Sequence, residues 1–336
     1  MADRGRVLSG IQPTGELHMG NYLGAVENWV RLTDEYECFY CIVDHHAITA
    51  CFAPAEFPAA VEGMAVSLLA AGLDPEKCHI FLQSEVPEHT ELGWILTSLA
   101  PLGQLQRMTQ FKDKAGDRGE AINAGLLMYP VLQAADILLY KADRIPVGED
   151  QVQHLELSRV LARRFNNAFG ETFPEPQPLL TEAKRILGLD GQSKMSKSKN
   201  NHIGILDSPD TIRKKMVTAF TDPLRLRRTD PGRPWVCNVF TWHKLVSDEA
   251  TIERVDLQCR TAALGCFEDK MMMAEILIEK FRPMRERAAE LRASPETIRE
   301  ILAAGRDAAR AVARETMREV HEAMGLWQTT RGPVTA

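Results

Sequence analysis

The sequence lacks any apolar stretch long enough to cross a membrane. The longest one, Met64 to Leu73, is about half of the roughly 20 residues that a membrane-spanning helix needs. The N-terminal residues MADRGRVLSG are polar and charged and have no signal-peptide pattern. Seven cysteines, an odd number in 336 residues, are atypical of a disulfide framework. We therefore expect a cytoplasmic protein that does not bind a membrane.

The sequence also lacks an overall basic charge and the common nucleotide-binding motifs. The formal net charge is −6, which at first sight disfavours a nucleic-acid partner. However, residues 211–233 contain seven lysines and arginines against two aspartates, which indicates either a phosphate-binding patch or a solvated face. Neither G-x-G-x-x-G nor the P-loop pattern is present, so those two nucleotide sites are excluded.

The composition, 45% hydrophobic and 26% charged, is typical of a globular protein with one large domain or two. Its first half alternates short apolar runs with longer segments of helical length. The predicted strands are Val7–Ser9, Cys38–Val43, Cys78–Leu82 and Arg144–Val147, and the predicted helices are Gly20–Leu32, Ala55–Ala71, Ala124–Tyr140 and Asp150–Asn166. This alternation predicts an α/β fold with a parallel sheet, followed from about Ser208 by helices alone.

The turn after the first strand is the first candidate site. Ligands of open parallel sheets bind at the carboxyl ends of the strands, and anions bind at helix N-termini. His18 and Asn21 lie three residues apart at a predicted helix start, so both can face one phosphate group. Gly20 has no Cβ and lets an adenine or ribose approach the backbone. Alternatively, His18 is an ordinary histidine at a helix entry.

A second candidate is the pentapeptide Lys194–Ser198, which follows Gly191 and precedes two asparagines. Its closely spaced ammonium groups and small flanking residues suit a loop that closes over a triphosphate. The alternative is a solvated lysine loop. Together, His18–Asn21 and Lys194–Ser198 resemble the HIGH and KMSKS signatures of class I aminoacyl-tRNA synthetases.

Further segments are similar to those of the tryptophanyl-tRNA synthetases and together span nearly the whole chain. They are Ser9–Gly15, Cys41–Thr49, Met108–Lys114, Gly125–Tyr140, Ile145–Gln151 and Glu322–Leu326. The resemblance implies a homodimer that uses Mg²⁺ and ATP to join L-tryptophan to tRNA(Trp). It also implies a Rossmann-type catalytic domain (1–190), a mobile KMSKS loop (191–200), a helical anticodon-binding domain (201–295) and a C-terminal helix packing back on the catalytic domain (296–336).

The resemblance also assigns the contacts to ATP. They fall on Gln12, Pro13, Thr14, Gly20, Asn21, Gly148, Glu149, Asp150, Ile186, Lys194, Met195, Ser196, Lys197 and Ser198. His18, Lys112, Lys194 and Lys197 are implied to stabilise the charge that develops on the leaving pyrophosphate. The tryptophan carboxylate attacks the α-phosphate, and a tRNA ribose hydroxyl then attacks the adenylate, so positioning dominates and no protein nucleophile is required.

The tryptophan pocket follows from the same resemblance. Asp136 is implied to accept the indole N–H, and Tyr129 and Gln151 to surround the substrate ammonium; His46, Gln133 and Val147 complete the pocket. A buried acceptor rejects amino acids that lack a donor there, so no editing domain is needed. Many bacterial members have methionine where this chain has Gln133, which either contacts the indole or simply packs.

The cysteines of the second half raise the question of a metal. Cys237, Cys259 and Cys266, with Asp269, resemble the four-cysteine iron–sulfur site of some tryptophanyl-tRNA synthetases, with aspartate in the fourth position. We expect no metal and inert buried cysteines, with a cluster or zinc as alternatives. Two rival functions also remain open at this stage, a tyrosyl-tRNA synthetase and a catalytically idle relative that binds RNA or protein.

Overall fold

The sheet that positions the site is formed by five parallel strands. The computed structural model describes residues 4–49, 53–112, 123–148, 152–180 and 186–326. Its strands are β1 (Arg6–Ile11), β2 (Glu37–Ile42), β3 (Cys78–Leu82), β4 (Arg144–Val147) and β5 (Gln177–Leu180), in the order β3-β2-β1-β4-β5. All four predicted strands are present within a residue or two of their expected bounds. The predicted α/β class with a parallel sheet is confirmed.

Helices cover both faces of the sheet and form most of the regular structure in the rest of the described chain. They are α1 (Met19–Asn21), a π-helical turn (Tyr22–Val26), α2 (Glu27–Leu32), α3 (Asp44–Ala47), α4 (Phe57–Ala70), α5 (Glu88–Leu99), α6 (Leu102–Arg107), α7 (Ala124–Leu139), α8 (Val152–Phe169), α9 (Pro209–Val217), α10 (Asn238–Val246), α11 (Glu249–Arg260), α12 (Cys266–Ala293) and α13 (Pro295–Met324). None of these described helices has both the length and the apolar character to span a membrane.

Alternate residues of the central strands enter two separate apolar cores. Tyr40 and Ile42 of β2 pack into one core, while Phe39 and Cys41 of the same strand pack into the other. Successive side chains of a strand point to opposite faces, so the sheet is buried on both sides, as the continuous apolar run of β2 predicts. The first core continues into the helical second half, where Trp242 is fully buried.

Two elements that the sequence reading missed, β5 and α5, complete this architecture. Strand β5 contains Pro178, which cannot donate to a ladder and is therefore tolerated at the edge position that β5 occupies. At the opposite edge, α13 lies against β3. A Cβ on Gly305 of α13 would lie 2.0 Å from the carbonyl oxygen of Ile80, so only glycine permits this close approach. Helix α13 thus covers an otherwise open sheet edge.

The strand order places the loops of interest side by side. β1 lies between β2 and β4, and the direction of winding reverses between β1 and β4. Ligands of such sheets bind in the crevice outside the carboxyl ends at this reversal. The segments that follow β1, β2, β3 and β4 therefore meet along one edge of the sheet.

Candidate active site

His18 begins the helix that follows β1. Its Nδ1 accepts a hydrogen bond from the Asn21 backbone N–H at 3.2 Å, and the Asn21 side-chain oxygen lies 3.4 Å from the His18 backbone nitrogen. This reciprocal cap satisfies two N–H groups at the helix start. Because Nδ1 is the acceptor, the proton of the neutral imidazole lies on Nε2.

The charge state of His18 is set by its surroundings. Burial, followed by the positive charges of Lys197, His202 and Lys194, lowers the pKa of His18 to about 4. The side chain is therefore neutral at physiological pH. It can donate a hydrogen bond from Nε2 to a phosphate oxygen, but it does not bring a positive charge.

The two signature segments, far apart in sequence, are in contact. Lys197 Nζ donates a hydrogen bond to the Thr14 carbonyl oxygen at 2.9 Å. A Cβ on Gly20 would lie 3.2 Å from the Met195 Cβ, so the two backbones approach closely here. Burial lowers the pKa of Lys197 to about 8, with Glu16 opposing the shift. Among the described residues, Lys197 has no ion-pair partner, so its ammonium is available to an anion.

Asn201, which the sequence reading did not single out, fixes the shape of the KMSKS segment. Its side-chain oxygen accepts from the Ser196 backbone N–H at 2.7 Å, and its amide nitrogen donates to Asp190 at 2.9 Å. The Met195 backbone N–H donates to the carbonyl of Ile186, another predicted ATP contact, at 2.9 Å. Lys194 and Ser198 are exposed at the surface of this loop.

The remaining predicted ATP contacts are spread along the same edge. Pro13 is buried and Gln12 is exposed directly after β1, and Gly148 follows the neighbouring strand β4. Lys112 is exposed. Glu149, Asp150 and Gln151 lie outside the described residues.

Asp136 lies at the centre of a buried polar cluster. Its Oδ1 accepts a hydrogen bond from Gln83 Nε2 at 2.7 Å and lies 2.7 Å from His89 Nδ1. Its Oδ2 lies 2.7 Å from His46 Nε2. Burial opposes ionisation of Asp136, but the interactions with His46 and His89 outweigh it and hold its pKa below the usual range. Asp136 is therefore an anionic acceptor on a fixed frame.

The other predicted pocket residues surround this cluster. The His46 ring lies nearly perpendicular to that of Tyr129, with 6.3 Å between the ring centres. Tyr129 Oη donates to Gln110 Oε1 at 2.5 Å and lies 3.0 Å from His154 Nε2, and burial raises the pKa of Tyr129 to about 12. Gln133 is half-buried one helical turn before Asp136 on α7, and Val147 is buried at the end of β4.

Three polar residues of this pocket were missed from the sequence: Gln83, His89 and His154. Gln83 directly follows β3, so its place at the carboxyl end of a buried strand was a usable signal. His89 lies on α5, which was itself missed. His154 lies on the buried face of α8, where a histidine gives no signal that separates a pocket from a core.

The cysteine group has a geometry of its own. Arg225 Nη1 lies 4.0 Å from the Cys259 sulfur and 3.7 Å from the Cys266 sulfur, and Nη2 donates to the Leu264 carbonyl at 2.7 Å. Asp269 Oδ1 lies 3.1 Å from His243 Nε2. A guanidinium thus lies beside two of the thiols, and the carboxylate is already paired.

The space between these residues is small. The cavity between them has a volume of about 10 Å³, which is roughly the space of one water molecule. It is lined by Asp222, Arg225, Cys237, Cys259, Leu264, Cys266 and Asp269. No group of three or more histidine, cysteine or acidic side chains in the described chain is arranged to hold a metal ion. The structure does bring Cys237, Cys259, Cys266 and Asp269 to one cavity, but a guanidinium beside two of the thiols and a carboxylate already paired with His243 do not suit an iron–sulfur cluster or a zinc ion.

Known proteins that are similar to this chain identify its family. The model of the family "tRNA synthetases class I (W and Y)" matches residues 2–282. A tryptophan–tRNA ligase of Deinococcus radiodurans is 53% identical over 326 residues, which cover 96% of this chain and 98% of the relative. A Helicobacter pylori protein of the same name is 43% identical, with 96% and 98% covered.

Solved structures give the same result. Campylobacter jejuni tryptophanyl-tRNA synthetase complexed with ADP and tryptophan is 37% identical, with a TM-score of 0.87 over 96% of this chain and 100% of that one. The enzyme of Mycoplasma pneumoniae is 33% identical, with a TM-score of 0.82 over 96% and 98%. The fold and the site thus define a class I aminoacyl-tRNA synthetase.

The chain belongs to the tRNA synthetases class I for tryptophan and tyrosine. Within this family, the predicted resemblance to the tryptophanyl-tRNA synthetases is confirmed. The predicted function, ATP-dependent activation of tryptophan and charging of tRNA, is confirmed with it, and so is ATP as the substrate.

Proposed function

We propose that the described edge of the sheet holds both substrates at once, with ATP between the two signature segments and tryptophan against Asp136. The observation that carries this assignment is the contact between Lys197 and Thr14, which brings an ammonium with no carboxylate partner among the described residues beside the capped helix of His18. His46, the partner of Asp136, lies in α3 just after β2, and β2 is a neighbour of β1 in the sheet. The carboxylate of tryptophan and the phosphates of ATP then meet at adjacent strand ends.

In this assignment the protein acts through charge and position. The tryptophan carboxylate attacks the α-phosphate, a new P–O bond forms, and the bond to the pyrophosphate oxygen breaks. Negative charge then grows on the leaving pyrophosphate, where Lys197 and Lys194 stabilise it and His18 donates from Nε2. Mg²⁺ enters with ATP as part of the substrate and neutralises further phosphate charge. Lys112, Glu149 and Asp150 keep the roles that the family resemblance implies.

For tRNA, the helical second half (201–295) offers a surface rich in exposed aromatic and apolar side chains. Trp235 is 63% exposed, with Arg260 5.0 Å above its ring, and Phe267 is 63% exposed. Unstacked RNA bases bind by stacking on such rings and on arginine planes. We assign the anticodon contact to this surface, and the C-terminal helix α13 to support of the catalytic sheet.

The basic segment 211–233 contributes less to this surface than its composition indicates. Most of its positive side chains are paired with carboxylates or turned inward. Arg213 pairs with Glu275, Lys215 with Asp207, Arg228 with Glu268 and Arg233 with Asp222, while Arg225 points to the cysteines. Surface pairs of this kind leave little net field. Stacking therefore carries more of the proposed RNA contact than phosphate attraction does.

We further propose that the enzyme works as a cytoplasmic homodimer. Trp94 of α5 is 74% exposed and Leu102 of α6 is 58% exposed, and a second copy would cover these large apolar side chains. Light scattering of the native protein and of Trp94→Glu tests this part. A dimer that becomes a monomer in the variant supports it, and a native monomer contradicts it.

The proposed function as a whole is tested by ATP–pyrophosphate exchange with each of the twenty amino acids, followed by charging of tRNA(Trp). We expect exchange with tryptophan alone, and Trp235→Ala should raise the KM for tRNA without changing exchange. Exchange with tyrosine in place of tryptophan would contradict the assignment of the pocket. Absence of any exchange would indicate an idle relative.

A further inference from the structure

A second buried histidine, His89, lies behind the acceptor of the pocket. Its Nδ1 lies 2.7 Å from Asp136 Oδ1, and its Nε2 lies 2.8 Å from the hydroxyl of Tyr140. Both His89 and Tyr140 are fully buried, so neither contacts a ligand in the pocket. A continuous line of hydrogen bonds thus runs from Tyr140, which follows α7, through His89 of α5 to the carboxylate of Asp136.

The hydrogen bonds of this line define which atom holds each proton. Burial raises the pKa of Tyr140 well above its usual value, so its hydroxyl keeps its proton. Among the described residues, no other acceptor lies within hydrogen-bond distance of this hydroxyl, so it donates to Nε2 of His89. The imidazole is then neutral, and its remaining proton on Nδ1 is donated to Asp136.

The two oxygens of Asp136 consequently differ in what they can still accept. A carboxylate oxygen has about two lone-pair sites. Oδ1 already accepts from Gln83 and His89, whereas Oδ2 has His46 as its one donor among the described residues. Only Oδ2 keeps a free site, on the side of the pocket where His46 faces Tyr129.

We propose that His89, held in one tautomer by Tyr140, is a positioning residue that fills Asp136 Oδ1 and so directs the indole N–H of tryptophan to Oδ2. The inference rests on the proposed function, since it assumes that Asp136 accepts the indole. It assigns selectivity for tryptophan to a chain of three residues, two of which never contact the substrate.

The titratable and charged groups that face this line come from several elements. Cys41 of β2 and Asp44 and His46 of α3 lie on one side, and Glu88 precedes His89 on α5. Glu88 is paired with Arg310 and Arg314 of α13, so its charge is compensated. Burial raises the pKa of Cys41 well above its usual value, which keeps that thiol neutral. The hydroxyl of Tyr140 thus fixes which ring nitrogen of His89 carries the proton.

The experiment measures KM for tryptophan, and for an analogue with sulfur in place of the indole N–H, in pyrophosphate exchange. In Tyr140→Phe, Nε2 of His89 loses its donor, so the imidazole is no longer held in the tautomer that donates to Oδ1. We expect the tryptophan KM of Tyr140→Phe to rise about 3- to 10-fold over the wild type, the effect of losing one hydrogen bond of ordinary strength. The KM of the analogue, which has no N–H to direct, should not rise.

His89→Leu and His89→Asn complete the set. His89→Leu removes the donor to Oδ1, and we expect about a 10- to 100-fold rise in the tryptophan KM with little change for ATP or the analogue, since hydrogen bonds to charged groups are strong. His89→Asn keeps a donor near the position of Nδ1 and should restore most of the loss. Tyr40→Phe is the matched control, because the buried Tyr40 hydroxyl bonds the Trp29 carbonyl at 2.7 Å in the other core.

An unchanged tryptophan KM in Tyr140→Phe would overturn the inference, and so would equal losses for tryptophan and the analogue. If His89→Leu does not fold, the near-isosteric Tyr140→Phe still decides the question. Loss of the proposed function has a separate signature, because the wild type itself would then show no exchange with tryptophan.

Discussion

The two ends of the active site hold their charges in opposite ways. At the phosphate end, the half-buried Lys197 donates to one backbone carbonyl within the described part of the chain, and burial lowers its pKa to about 8. At the indole end, the buried Asp136 is surrounded by three donors at 2.7 Å, which hold its pKa below the usual range. The ammonium at the phosphate end thus has no anionic partner among the described residues, whereas the carboxylate at the indole end has most of its hydrogen-bonding sites filled.

This difference matches the work that each end performs. An ammonium that lacks a partner is stabilised most when negative charge develops beside it, so it favours the transition state over the empty site. A carboxylate that is already fixed loses little freedom when a ligand binds, and it penalises any ligand that leaves it unpaired. Rate is therefore expected to depend on the first region, and selectivity on the second.

The largest expected effect tests the indole end. Asp136→Ala should lower kcat/KM for tryptophan by about 10³-fold or more, because a site built around an acceptor discriminates by about 10⁴–10⁵ in all. The loss should fall on the tryptophan KM and should relax the rejection of phenylalanine, while ATP affinity is spared. Pyrophosphate exchange with both amino acids measures it.

Removal of a buried charge also affects stability, so a matched control is required. Asp269 is likewise buried and paired with a histidine, His243, at 3.1 Å, but it lies outside the pocket. Asp269→Ala should lower the melting temperature with little change in the tryptophan KM. If Asp136→Ala also left that KM unchanged, Asp136 would not be the specificity residue.

The second prediction concerns the phosphate end. Lys197→Ala should reduce kcat for activation by about 10²–10³ with little change in tryptophan binding, because one preorganised donor to the transition state is lost. Lys199→Ala, an exposed lysine just beyond the KMSKS segment, is the control and should retain the wild-type rate. A near-wild-type rate in Lys197→Ala would mean that the loop only covers the site.

The third prediction uses the charge state of the empty site. Since the pKa of Lys197 is lowered to about 8, the ammonium is charged below this pH and lost above it. We expect kcat/KM for MgATP to fall about tenfold per unit above roughly pH 8. Lys197→Arg should shift this limb to higher pH, because arginine stays protonated. The pKa of His18, lowered to about 4, predicts a level profile between about pH 5.5 and 7.5; a limb in that range would contradict the neutral His18.

Much of the fold could be predicted because its signals are local. The apolar run of β2, the glycine stop after α4 and the capped entry at His18 each follow from neighbouring residues alone. Strand β5 could not, because Pro178 is acceptable only at a sheet edge, and edge position is a property of the assembled sheet. Helix α8 also extends beyond its predicted end at Asn166 to Phe169, and the next residue, Gly170, adopts a φ of +104°.

The residues of the site likewise divide into those with a local sequence signal and those without one. His18, Lys197 and Asp136 belong to segments whose residue pattern is distinctive, so sequence comparison reached them. Gln83 and His89 are brought to Asp136 only by the packing of β3 and α5 against α7, across separations of 53 and 47 residues. Such partners leave no spacing rule in the sequence. The pairing of the basic residues of segment 211–233 with carboxylates is likewise visible only in three dimensions.

The smallest expected effect concerns a third charged region, the cysteine group, and extends the comparison to a site where we expect no ligand. Here a buried carboxylate, Asp269, is paired with His243 as Asp136 is with His46, but a guanidinium lies beside the thiols of Cys259 and Cys266. A positive side chain in this position favours retention of the fold without a metal. Protein purified without oxygen should therefore be colourless, with no stoichiometric iron or zinc.

The variant Cys259→Ser should leave tRNA charging within about twofold of the wild type, because a surface-near change without a catalytic contact has little effect on rate. The Cys259 sulfur packs tightly against Gly232, where an added Cβ would lie only 2.4 Å from it. Serine is therefore the replacement that fits, because a side chain larger than cysteine has no room here. Iron, sulfide and zinc analysis of the wild type and of Cys266→Ser provides the measurement. Stoichiometric iron and sulfide that disappear in Cys266→Ser would make Asp269 a cluster ligand. Arg225 would then have to move away from both sulfurs, because its guanidinium lies beside them in this structure.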